Sequence, residues 1–105
     1  MIFMADNIRR MKEKEAFKAH LLGVVGDIEY ICGIYRGVVP LPRDSLLAEM
    51  LVRYYGRELR EDKFKHISNY GFVLESMVRT GELPDVDVND LKSARGELLR
   101  YYNHV

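Results

Sequence analysis

The sequence has a single cysteine, Cys32, no glutamine, and no excess of charge of either sign, since Lys plus Arg and Asp plus Glu both number 16. A lone thiol excludes an intrachain disulfide framework and a cysteine-rich zinc site; it fits a reducing compartment and reads as a small buried hydrophobe. The charge balance removes any overall field toward nucleic acid or an anionic membrane, so binding either one would need a local patch. Long apolar runs are also missing. The N-terminal MIFMADNIRRMKEKEAF has none beside its charges that could serve as a signal-peptide core, so a cytoplasmic protein is expected, with Met4 offering a second start site. No linker or low-complexity tract interrupts the chain.

What remains is the composition of a folded domain, 105 residues of which 48% are hydrophobic and 30% charged. One domain of that size has a high surface-to-volume ratio, and a partner subunit would help it. Helical periodicity runs in segments broken at Pro or Gly. The first extends from about Asp6 to Gly37, before Pro40 and Pro42. The second opens at Asp44 or Ser45 as N-cap and ends near Gly56, with Leu47, Met50, Leu51 and Tyr54 as its apolar stripe. Residues 58–80 read as two helices hinged at Asn69-Tyr70-Gly71 and closed by Gly81 as C-cap. The last helix opens at Asp87 or Asn89 and runs to about Tyr102, with Leu91, Ala94, Leu98 and Tyr101 at helical spacing. The acid-to-base pairs Asp6/Arg10, Glu49/Arg53, Glu61/Lys65 and Glu75/Arg79 stand at i,i+4 and favour helix over strand. The expected fold is all-α: a single helical domain over residues 1–105, a small bundle of four or five helices with a long central first helix.

The stretch GVVGDIEYICGIYRGVV, Gly23 to Val39, is the most informative. It is no membrane span, because Asp27, Glu29 and Arg36 would each cost roughly 2.5–3.5 kcal/mol inside one. Its glycines match neither the dinucleotide fingerprint nor the P-loop. Strand is the serious rival, given the β-branched residues and a cost of about 1 kcal/mol for each glycine in a helix. Against it, Phe17, Leu21, Val24, Ile28, Ile31, Tyr35 and Val38 recur at alternating steps of four and three, the spacing of one helix face. Ala16, Ala19, Gly23, Gly26, Tyr30, Gly33 and Gly37 form a second stripe roughly opposite the first. Small residues at that spacing admit a second helix at close range. They are the candidate interface, packed on a further internal helix or on a partner.

Catalytic and metal signals are sparse. His20, His66 and His104 are far apart, so neither a metal nor a cofactor is expected. His66, with Asp62 one turn before and Tyr70 one turn after, could share a face for acid–base work, but no nucleophile or oxyanion donor stands near. Arg100-Tyr-Tyr-Asn-His104 resembles the Arg-x4-6-His element of the HEPN ribonuclease family, helical dimers that pair two such motifs to cut RNA. The likeness covers this one element, and the intervening residues are fewer than the family's. LESMVRTGEL resembles the end of a winged-helix recognition helix, which would make residues 58–83 a helix-turn-helix-like nucleic-acid element with Glu75 and Arg79 on its reading helix. The acidic ELPDVDVND that follows departs from a basic wing. Basic residues gather at Arg9, Arg10, Lys12, Lys14 and Lys18, and acidic ones at Glu82, Asp85, Asp87 and Asp90, an asymmetry able to orient an association. The expected function is non-catalytic protein–protein association, as a homodimer or a small subunit of a complex, with the nucleic-acid regulator as the alternative.

Overall fold

A computed structural model describes residues 2–57, 59 and 63–105, with backbone alone for residues 2–5. Four helices follow one another, α1 Ile2–Tyr35, α2 Asp44–Tyr55, α3 Ile67–Thr80 and α4 Val88–His104, and no strand occurs among the described residues. The expected small helical bundle with a long first helix is present. Gly23 to Tyr35 is helix, and the strand alternative is excluded.

The helices begin and stop where backbone chemistry dictates. α1 ends in a Schellman turn: Gly37 N–H donates to Ile34 O at 3.0 Å and Val38 N–H to Gly33 O at 3.0 Å. Gly37 takes φ 74°, a left-handed conformation open to glycine at little cost, and Pro40 and Pro42 prevent resumption. Gly81 closes α3 in the simpler left-handed cap, at φ 72° with its own N–H on Met77 O. Asp87 caps α4 by accepting from Asn89 N–H at 2.9 Å. At α2 the expected cap moves by one residue. Arg43 is the N-cap, with no side-chain bond, and Asp44 falls in the first turn, where its charge meets the positive end of the helix.

Neighbouring helices pack in a ring, α1 on α2, α2 on α3, α3 on α4 and α4 back on α1. α1 and α4 run antiparallel: Phe17 meets Tyr101 edge to face at 5.7 Å, Arg95 reaches Glu29 at 3.4 Å, and Tyr35 Oη donates to Pro84 O at 2.8 Å. The predicted apolar stripe of α1 forms one wall of the core, with Leu21, Val24, Ile28 and Ile31 wholly buried. Val38, its last member, is exposed because the chain has left the helix.

The hinge expected at Asn69-Tyr70-Gly71 does not exist; α3 runs straight through it. Gly71 is small for a different reason. A Cβ there would lie 2.7 Å from Tyr54 Oη, so Tyr54 of α2 crosses α3 at this point. Tyr54 then packs edge to face on buried Tyr70 with centroids 5.6 Å apart. Three of the expected i,i+4 pairs are rearranged as well. Asp6 pairs with Arg9, Arg53 turns to Asp27 of α1, and Glu75 accepts from Tyr55 Oη, while Glu61 lies outside the described residues.

The longest dimension of the molecule, 54 Å, is set by α1, whose 34 residues at 1.5 Å each extend about 51 Å. The other helices have 12, 14 and 17 residues and cannot accompany it throughout. Residues 6–16 are exposed at every position, and Phe17 is the first after them to enter the bundle. Gly71→Ala should therefore lower the melting temperature, by the equivalent of about 1–3 kcal/mol for overpacking, with partial recovery when Tyr54→Phe removes the hydroxyl. A hinge glycine would instead tolerate alanine without loss in the same thermal melts.

Candidate functional site

The candidate interface residues divide into three kinds of environment. Ala16, Ala19 and Gly26 face solvent, and a Cβ on Gly26 would meet nothing within 4 Å. Gly23 and Gly33 are covered by their own chain: a Cβ on Gly23 would stand 2.9 Å from Arg53 Cδ, and one on Gly33 2.7 Å from Val39 Cγ2. Tyr30 is half-buried, and Gly37 belongs to the turn beyond the helix. The small residues thus serve two purposes. Gly23 lets an arginine stem lie flat on the helix backbone and Gly33 receives Val39, while Gly26 leaves the backbone of α1 bare.

On the outer face itself the exposed apolar residues were missed by a reading that followed only small side chains. Leu22 is 44% exposed, Ile8 52% and Met11 62%. Ile8, Met11, Glu15, Ala19, Leu22, Gly26, Tyr30 and Gly33 advance by threes and fours close to the helical repeat, so they form one straight line along α1. That line joins the overhanging half of the helix to the half seated on the bundle. The signal lay in the sequence, since Ile8 and Met11 have no place on the core stripe.

Beneath Arg53 lies a polar cluster between α1, α2 and α3. Arg53 Nη1 donates to Asp27 Oδ1 at 2.7 Å, and Asp27 is itself buried. Burial pushes the Asp27 carboxyl above its ordinary range, outweighing the arginine charge and hydrogen bond that pull it down. Asp27 Oδ2 and Tyr70 Oη are buried with no hydrogen-bond partner among the described residues. Desolvation, followed by the Asp27 charge, drives the Tyr70 phenol far above its usual range. His20, half-buried nearby, is held below its ordinary value by desolvation first and then by Arg57 and Arg53. Asp27 and Tyr70 are enclosed by helix packing, while His20 stays half-buried.

The other sequence-derived sites are not assembled. Tyr70 is in the core, while His66 Nε2 stands 3.6 Å from Glu97 of α4 and Asp62 lies outside the described residues. Arg100 and His104 line a shallow groove with Lys63, Lys65, Glu97 and Tyr101. Glu75 and Arg79 are exposed on α3, and the first half of the expected two-helix element falls partly on residues outside the described set, with Lys63 to His66 in turns. No cluster of His, Cys, Asp and Glu able to hold a metal occurs among the described residues. Cys32 is buried, and desolvation raises its thiol above the usual range. Among the described residues no helix is long and apolar enough to cross a membrane. No family model, curated protein or solved structure matches this chain, so the functional argument rests on its own residues.

The buried cluster carries a pH signature. Because the folded His20 has its pKa below the ordinary 6.5, its stabilisation is complete above that pH and is lost as pH falls through the folded value. Asp27 acts in the opposite sense, returning stability as pH falls through its raised value toward 3.8. Urea midpoints compared on either side of pH 6.5 should fall on the acid side for the native chain. His20→Gln should flatten that step, and an unchanged step in the variant would place its origin elsewhere.

Proposed function

We propose that this protein is non-catalytic and acts in the cytoplasm by binding a protein partner through the outer face of α1. The observation that supports this reading is the overhang, residues 6–16, which are exposed at every position and carry Ile8 and Met11 into solvent. An isolated helix shorter than about 12–15 residues is marginal in water, and in proteins helices draw most of their stability from packing an amphipathic face. A partner on this face would supply that packing. The continuity of the overhang with Ala19, Leu22 and Gly26 extends the same surface onto the bundle. The buried thiol accords with a reducing compartment. The nucleic-acid reading draws less support, because α3 offers Arg79 beside Glu75 and is followed by the acidic segment 82–90.

Photo-crosslinking in cells, with a benzophenone amino acid at Leu22 or, as control, at Arg79, tests the reading. Protein adducts should form at Leu22, be absent at Arg79, and disappear when Met11→Glu is added with helicity unchanged. Adducts at both positions, or at neither, would contradict it. Gly26 provides a second test. Since its Cβ position is empty, Gly26→Leu should raise intrinsic stability by about 0.5–1 kcal/mol through helix propensity while abolishing association. A variant that is more stable and associates normally would show that close approach at Gly26 is not needed. Gly33→Leu is no substitute, because Val39 already occupies that space.

A further inference from the structure

We infer that the occupant of this face is a second copy of the same chain, packed antiparallel on α1 so that each overhang lies against the other copy's bundle. The inference rests on the association reading above and specifies its partner. It starts from the stripe Ile8, Met11, Glu15, Ala19, Leu22, Gly26, Tyr30 and Gly33. Its midpoint falls between Ala19 and Leu22, and a two-fold axis there places residue i of one copy opposite residue 41 − i of the other. Bulky and small residues then face each other. Ile8 meets Gly33 and the Val39 side chain that covers it, Ala19 meets Leu22, and the Glu15 stem crosses Gly26, where a Cβ would touch nothing. Met11 lies against Tyr30. Exposed Val38 adds apolar surface at the end where Ile8 arrives.

Charge supports the same arrangement. This two-fold axis keeps the flank of α1 that borders α4 against the same flank of the other copy. Glu29, paired with Arg95, and Lys18, over the Tyr102 ring, identify that flank. At 100° per residue, Lys14 belongs to it, whereas Asp6, Arg10 and Glu13 turn toward the side of α1 that carries the core stripe. Lys14 of one copy approaches Glu29 of the other. In a parallel pairing Lys14 would face Lys14 and Glu29 would face Glu29, both repulsive. The antiparallel contact is isologous and closes on itself, so it gives a dimer and not a fibre. It runs about 37 Å along each helix and buries on the order of 1,000 Å² over both copies, the size at which specific dimers begin.

The test uses the full chain carrying Cys32→Ser, with light-scattering mass and disulfide formation as readouts. The mass should be twice the 12.3 kDa of one chain. Leu22→Cys, next to the axis, should oxidise to a covalent dimer, whereas Ile8→Cys should not, because the two copies of residue 8 stand at opposite ends of the contact. Lys14→Glu should weaken dimerisation about tenfold, and adding Glu29→Lys should restore it. Circular dichroism confirms that each variant is folded. Ready cross-linking at both Leu22→Cys and Ile8→Cys would mean a parallel pair and overturn the inference. A monomeric mass at high micromolar concentration would also overturn it. In that case, photo-adducts of a different protein at Leu22 would leave the association reading standing.

Discussion

The seam between α1 and α4 decides everything else about this molecule. Leu21, Val24, Ile28 and Ile31 of α1 and Leu91, Ala94 and Leu98 of α4 are completely buried. The antiparallel register they adopt places Phe17 against Tyr101 near the end of α4. α4 stops at His104, and Val105 beyond it borders Met11 and Lys14, so the turns of α1 before these extend past the end of α4. A long helix paired with a helix of half its length leaves part of itself in water. The chain has spent charged residues there for solubility, yet kept Ile8 and Met11 on the line that continues the outer face. Stability of the seated half and exposure of the other half are two consequences of one register.

The polar cluster on the α2 side follows a different logic. Asp27 interrupts an otherwise apolar run, and its raised pKa says that burial costs more than Arg53 returns. What the pair provides is position. Arg53 can reach Asp27 only by lying across Gly23, so the ion pair and the missing side chain together set how closely α2 approaches α1. Tyr54, the next residue, repeats the device toward α3 by crossing Gly71. Two adjacent residues of one short helix therefore lock it to its neighbours on both sides, each through a glycine. The cost of a glycine in a helix, about 1 kcal/mol, is offset where an arginine stem or a tyrosine ring takes the space.

Much of the fold was legible because helix signals are local. The heptad from Phe17 to Tyr35, the Gly81 C-cap and the Asp87 cap each act within a turn or two, and each is found as expected, whereas Gly37, read as a member of the helical stripe, lies in the turn that closes α1. Errors came where the meaning of a residue depended on a distant partner. Gly71 looks like a hinge until Tyr54 is known to cross it, and Arg53 looks like the i+4 partner of Glu49 until Asp27 is known to lie opposite. The candidate face was half legible for the same reason. Gly23, Gly26 and Gly33 are equivalent in a helical repeat, and only tertiary packing distinguishes the two that are covered from the one that is open.

The central claim is that the first half of α1 takes its stability from packing between molecules. Amide hydrogen exchange of residues 6–16, followed as a function of protein concentration, addresses it most directly. The account predicts fast exchange in dilute solution and increasing protection as the chains associate, while amides around Val24 and Ile28 stay protected throughout. Exchange across residues 6–16 that is equally slow at every concentration, or equally fast, would contradict it.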